Sequence, residues 1–172
     1  AAGVSAGVVK GLIDEGVLEV RLVEADAGFE PPDLDRPGHA LNASQAAAAQ
    51  ALRSMIAEGG FNVALLDGVT GSGKTEVYLE AAHAALAADA EAQVLVLLPE
   101  IALTQAVIAR FAQRFGAAPG EWHSDVAPPA RRRVWEGVAE GRCRIVVGAR
   151  SALFLPFANL RLIVVDEEHD GS

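Results

Sequence analysis

Eight consecutive residues, Gly68-Val69-Thr70-Gly71-Ser72-Gly73-Lys74-Thr75, fit the spacing G-x-x-x-x-G-K-[ST]. Glycines at these intervals let the backbone turn so that successive N–H groups point at one phosphate, and a helix opening at Lys74 adds the positive end of its dipole. In such a loop the lysine ammonium balances the β- and γ-phosphates and the hydroxyl of Thr75 ligates Mg²⁺. The expected ATP-binding segment is therefore Gly68, Val69, Thr70, Gly71, Ser72, Gly73, Lys74, Thr75 and the following Glu76. A glycine-rich turn without a ligand has similar composition, but the choice of cation speaks against it. Lysine occurs only at Lys10 and Lys74, and arginine serves everywhere else. A compact, flexible ammonium thus stands at the one place where a broad guanidinium would not fit.

A site of this kind needs an acid at the end of a neighbouring strand. The apolar run Leu162-Ile163-Val164-Val165 leads directly into Asp166-Glu167-Glu168-His169. Asp166 is the expected anchor for Mg²⁺, and Glu167 the residue that orients and deprotonates the attacking water. Glu168 and Asp170 read as acids of a solvated turn. For His169 two readings stand, a link from the ATP site to nucleic acid or a second lobe, and a structural histidine.

These groups must be held by a regular scaffold, and the hydrophobic pattern supplies one. Val4, Val8, Val9, Leu12 and Ile13 recur at helical spacing, and Leu18, Val20 and Leu22 then alternate as in a strand. Residues 24–40 carry Pro31, Pro32, Pro37 and several acids, as a linker would. Beyond them the periodicity predicts a helix over 42–57, a strand over 62–66, a helix over 74–87, a strand over 93–98 and a helix over 101–115. A helix over 129–140 and strands over 144–147 and 161–165 follow. Strands without polar alternation are covered by helices on both faces. The fold class is therefore α/β, a three-layer domain with a mainly parallel sheet.

Composition narrows the function. With 172 residues, 51% of them hydrophobic, the chain can build one well-packed domain and a small appendage. Its charge-free stretches fall short of the ~20 apolar residues that cross a bilayer, and no signal sequence is seen, so no membrane role and a cytoplasmic location are expected. A net charge of -9 means that any grip on nucleic acid is local. The lone Cys143 excludes an internal disulfide and reads as a small buried thiol beside a strand. Arg131, Arg132 and Arg133, the basic cluster, read as a solvated helix face beside Trp135. The chain starts without Met and stops inside a motif, so a fragment of a longer polypeptide is expected.

Taken in order, the segments DGVTGSGKTEVY (67–78), LPEIALT (98–104), WHS (122–124), VGARSALF (147–154) and DEEHDG (166–171), with Leu41, Asn42 and Gln45 upstream, resemble superfamily 2 helicases, and most closely the bacterial primosomal replication-restart helicases. The resemblance covers nearly the whole chain. It implies a RecA-like P-loop lobe over 41–172, truncated after the Walker B motif, a linker over 27–40, and the closing part of a winged-helix domain over 1–26. It also implies ATP-dependent 3′-to-5′ movement on single-stranded or forked DNA during replication restart, with primosome and single-strand-binding proteins as partners. Thr104, Arg150 and Ser151 are carried over as DNA contacts. The segments that hold them follow predicted strands, where ligands of open α/β sheets lie. Gln45 resembles the adenine-reading glutamine upstream of helicase P-loops, yet Asn42-Ala43-Ser44-Gln45 equally fits a capping box. The resemblance further implies a zinc-binding module and a second lobe with an arginine finger, both outside this chain, which would leave the fragment inactive in turnover. An RNA helicase would more typically read Asp-Glu-Ala-Asp or Asp-Glu-Ala-His than Asp-Glu-Glu-His, and a non-catalytic nucleotide-binding module would not need both Lys74 and Glu167.

Overall fold

A run such as Gln93-Val-Leu-Val-Leu97 offers almost nothing to turn toward water, so it belongs in the middle of a sheet with cover on both sides. The computed structural model, which describes residues 6–17, 28–69 and 71–166, puts it there. In chain order the elements are α1 (Ala6–Asp14), α2 (Ala43–Glu58), α3 (Lys74–Ala88), β1 (Gln93–Leu97), α4 (Gln105–Phe115), β2 (Gly120–Trp122), α5 (Pro128–Ala139), β3 (Ile145–Gly148) and β4 (Leu160–Val165), with 3₁₀ turns at Glu100–Ala102 and Arg150–Phe154. The four strands lie in the order β2-β3-β1-β4 and every pairing is parallel.

Side chains alternate across the sheet, as the period of a strand requires. Val94 and Val96 of β1 face a core built with Leu79 and Leu86 of α3 and Phe111 and Phe115 of α4. Leu95 and Leu97 face a second core with Val134 and Val138 of α5, Cys143 and Leu155. The three-layer α/β reading is thus what forms, and α2 packs against α3.

Buried polar groups set the register of these layers. Gln93 is fully buried, and its amide nitrogen donates to the carbonyls of Val138 and Cys143, each at 3.0 Å, while its amide oxygen accepts from Asn159 N–H at 2.9 Å. One side chain therefore ties β1 to the end of α5 and to the entrance of β4. Arg144 donates to the carbonyls of Leu86, Asp89 and Ala92, closing off the C-terminus of α3, where helix carbonyls otherwise lack partners. Residues 28–40, read as a linker, are laid along the lobe. Asp33 N–H donates to Phe115 carbonyl at 2.7 Å, a ring nitrogen of His83 meets Leu34 carbonyl at 2.9 Å, and buried Arg114 donates to Arg36 carbonyl at 2.8 Å while pairing with Glu80.

Three expectations change, and one strand was not foreseen. The strand predicted over 62–66 does not form, and Phe61, Val63 and Leu65 are exposed. Strand formation needs a hydrogen-bonded neighbour as well as apolar residues, and this run has none among the described residues. The outer strand β4 is covered on one face only, so Leu162 and Val164 pack inward while Ile163 and Val165 are exposed. The helix predicted over 101–115 divides into a 3₁₀ turn and α4, because Thr104 N-caps α4, its hydroxyl accepting from Val107 N–H. Strand β2, three residues long, carries too little pattern to be read. The predicted strand over 18–22 lies outside the described residues.

Arg114→Ala is expected to cost about 2 to 3 kcal/mol, because it leaves the half-buried Glu80 short of its main partner and frees the strap. A lower urea midpoint with an unchanged m-value would show it. Cys143 gives a pH signature: burial pushes its thiol from 9.0 up to about 12. The raised folded-state pKa means that the contribution of the neutral thiol is fully present below about pH 9 and is lost as pH rises toward 12. Stability of the wild type should consequently fall more steeply between those limits than that of Cys143→Ala, measured by denaturant titration at stepped pH.

Candidate functional site

Because all four strands run the same way, the segments that leave them emerge at one edge of the sheet. Leu98-Pro99 follows β1, His123 follows β2, Ala149-Arg150 follows β3 and Asp166 follows β4. The N-terminus of α3 lies at this edge as well, since α3 runs back to enter β1 at the opposite end.

The phosphate loop is shaped by two glycines with left-handed backbone, Gly71 (φ 79°) and Gly73 (φ 81°), a conformation that costs other residues about 1 to 2 kcal/mol. Gly73 is the N-cap of α3, and a Cβ there would collide with the amide of Gln45. That amide has a double task. Its oxygen accepts from Asn42 N–H at 2.9 Å and completes a capping box with Asn42, while its nitrogen donates to Ser72 carbonyl at 2.9 Å. Of the two readings of Gln45, the capping box is formed, and the same side chain braces the phosphate loop. Within the loop Ser72 N–H donates to Val69 carbonyl at 3.1 Å, and the Lys74 ammonium donates to Gly68 carbonyl at 2.7 Å. Glu76, in the first turn of α3, is held in an ion pair with Arg110 of α4. Thr70 lies outside the described residues.

Thr75 and Tyr78 are three residues apart on α3 and share a face. Tyr78 is buried, and burial, as the largest influence, pushes its phenol up to about 12, with Thr75 and Asp166 among the groups close enough to act on it. The phenol is thus neutral and stands beside the two residues expected to hold Mg²⁺. Asp166 is itself fixed at the strand end, its N–H donating to Leu97 carbonyl at 2.9 Å. A hydroxyl and a carboxylate suit an ion that takes oxygen ligands and keeps several waters. Among the described residues no cluster of three or more acids, histidines or cysteines could hold a metal. Glu167 and His169 lie outside the described residues. The place of Tyr78 beside Thr75 and Asp166 was not legible, for an aromatic four residues after a P-loop lysine reads simply as core.

Thr104, Arg150 and Ser151 are all exposed at this same edge, beyond β1 and β3. Gly148 allows the approach that positions Arg150: a Cβ would lie 2.5 Å from Trp122 carbonyl and 2.9 Å from Ala152 Cβ. The arginine cluster on α5 is more than a solvated face. The guanidinium of Arg133 lies 4.8 Å from the ring centre of Phe29, and that of Arg131 lies 4.8 Å from the ring centre of Trp122. Among the described residues no helix is long and apolar enough to cross a membrane.

The DEAD/DEAH box helicase model matches residues 42–172. The Replication restart protein PriA of Haemophilus influenzae is 48% identical over 132 residues, 77% of this chain and 17% of that protein. Its counterpart in Bacillus subtilis is 38% identical over 173 residues, 98% of this chain and 21% of that protein, and the one in Synechocystis is 39% identical over the same share of this chain and 20% of its own length. The chain therefore spans about a fifth of the length of these relatives. The solved structure of the DUF1998 helicase MrfA bound to DNA aligns with 84% of this chain and 22% of its own, at 18% identity and a TM-score of 0.46. With the family model spanning the phosphate loop, the parallel sheet and the strand ends just described, the chain belongs to the DEAD/DEAH box helicase family.

Proposed function

We infer that this chain is the ATP-binding lobe of a DNA helicase of replication restart, one that hydrolyses ATP to move 3′ to 5′ along single-stranded or forked DNA. The observation that carries the reading is the phosphate loop at the carboxyl edge of the parallel sheet, where left-handed Gly71 and Gly73 lead into α3 and Asp166 stands at the end of β4. The relatives named as replication restart proteins supply the biological context.

In this reading the N–H groups of residues 68–75 and the α3 dipole hold the phosphates, and Lys74 turns its ammonium from the loop carbonyl to the phosphoryl oxygens. Thr75 and Asp166 would hold Mg²⁺, which when bound supplies positive charge beside the β- and γ-phosphates. Glu167 orients the attacking water and takes its proton. Gln45 adds a contact to adenine from its place against the loop. Thr104, Arg150 and Ser151 follow the DNA backbone, and primosome and single-strand-binding proteins are the partners, in the cytoplasm. Turnover needs an arginine finger from a second lobe outside this chain, so residues 1–172 alone bind nucleotide weakly and hydrolyse little; a zinc module also belongs to the remainder of the protein.

Two substitutions in the whole helicase separate binding from chemistry. Lys74→Ala should lower DNA-stimulated ATP hydrolysis by about 10² to 10³-fold, as loss of an electrostatic partner of the transition state does, with DNA affinity almost unchanged. Glu167→Gln should abolish turnover while retaining Mg²⁺-ATP. Steady-state ATPase assays beside calorimetric nucleotide titration decide the matter: wild-type rates for Lys74→Ala would sink the phosphate-site reading, and parallel loss of affinity and rate in Glu167→Gln would make it a metal ligand.

Tyr78→Phe keeps the ring that lies near Phe111 and removes only the hydroxyl beside Thr75 and Asp166. Affinity for ADP should drop about 2- to 10-fold in Mg²⁺, the size of one hydrogen bond, and stay unchanged in EDTA. Equal losses under both conditions would leave Tyr78 a packing residue.

A further inference from the structure

Trp122, Arg131, Arg132, Trp135 and Glu136 line an open groove beside the exit of β2. Most arginines elsewhere are committed: Arg53 and Arg114 to Glu80, Arg110 to Glu76, Arg161 to Asp89, and Arg144 to carbonyls. Among the described residues Arg131 and Arg132 have no carboxylate partner, which in a chain of net charge -9 makes this a local basic spot. The guanidinium of Arg131 lies over the Trp122 ring at 4.8 Å. One turn further along α5, on the same helix face, Trp135 is 50% exposed, far more than its apolar area favours.

The place of the groove matters as much as its chemistry. Trp122 pairs with Gly148, and Ala149 N–H donates to Trp122 carbonyl at 2.9 Å, so Arg150 begins where Trp122 ends. A line across the carboxyl edge of the sheet runs from Thr104 after β1, through Arg150 and Ser151 after β3, to the groove after β2. Stacked planar groups combined with unpaired cations are what single-stranded nucleic acid requires: a flat surface for a base and positive charge for its phosphate. An unpartnered protein segment would gain little from cations with no acid of its own.

We propose that Trp122, Arg131 and Trp135 form a base-stacking subsite for a single DNA strand, continuing the path that passes Thr104, Arg150 and Ser151. The base lies against the exposed indole of Trp135 and the phosphates run on the side of Arg131. The subsite rests on the reading of the chain as a DNA helicase lobe.

The chain contains two tryptophans, and both are in the groove, so all of its indole emission reports this surface. Oligo-dT of about 16 nucleotides, enough to cover such a surface, is titrated into the chain at low salt, with emission and the anisotropy of a dye-labelled copy followed in parallel. Saturable quenching should share its midpoint with the anisotropy change. Trp135→Ala should weaken binding about tenfold, the scale of one stacked base, with an unchanged thermal melt, whereas Trp135→Phe should stay within about twofold. Arg131→Ala should also weaken binding and flatten its salt dependence. Anisotropy change without quenching, and with Trp135→Ala like the wild type, would overturn the subsite and leave DNA binding standing. Absence of any anisotropy change would overturn both. Emission that shifts on concentrating the protein alone, with no response to DNA, would give the groove to a second copy of the chain.

Discussion

Strands that run in the same direction cannot be joined by hairpins, so each must be followed by a crossover that returns the chain to the starting edge. That constraint governs the rest of this molecule. It forces α4 and α5 onto the two faces of the sheet, and it sends every segment that leaves a strand out at the same side. The phosphate loop, Asp166, Thr104, Arg150 and Trp122 are spread over a hundred residues and meet along one edge because of it. No local preference of those residues would have brought them together.

Parallel order alone does not fix the register, and here buried hydrogen bonds do so. Gln93 satisfies its amide at three places on three different segments. An amide in that position would be costly if any bond were missing, so the layers can close in only one way. Arg144 acts similarly at the end of α3, and its burial works against its charge, lowering its pKa, which three carbonyl acceptors offset. The apolar cores supply most of the driving force, while these polar side chains select among the many ways such cores could slide.

Features decided by nearest neighbours in sequence were legible before any coordinates. The phosphate loop was, because its glycines and lysine are contiguous; so were the α3 and α4 helices and the fully buried β1 and β3, whose patterns are long or unbroken. Gln45 was legible as two alternatives and turned out to fill the cap while bracing Ser72, since a side chain three residues from Asn42 can do the first locally and only the tertiary fold brings the second within reach. What failed depended on distant partners. Residues 62–66 have the composition of a strand, but pairing is a property of two segments. Ile163 and Val165 look like core until the cover of β4 is known. Tyr78 shows the same limit at the site, because its nearness to Asp166, 88 positions on, is set by the tertiary fold and the sequence gives no sign of it.

Helices α3 and α4 lie side by side on one face of the sheet and are joined by two arginine–glutamate pairs of unlike character. Arg114 and Glu80 are 5% and 19% exposed, and the arginine also holds the strap at Arg36; a buried pair of this kind resists separation, since either partner alone would be left without compensation. Arg110 and Glu76 are 45% and 14% exposed, and a pair so open to water contributes on the order of 1 kcal/mol or less. The stiff joint sits toward the C-terminal end of α4. The soft joint connects the first turn of α3, next to the phosphate loop, with the helix whose N-cap is Thr104.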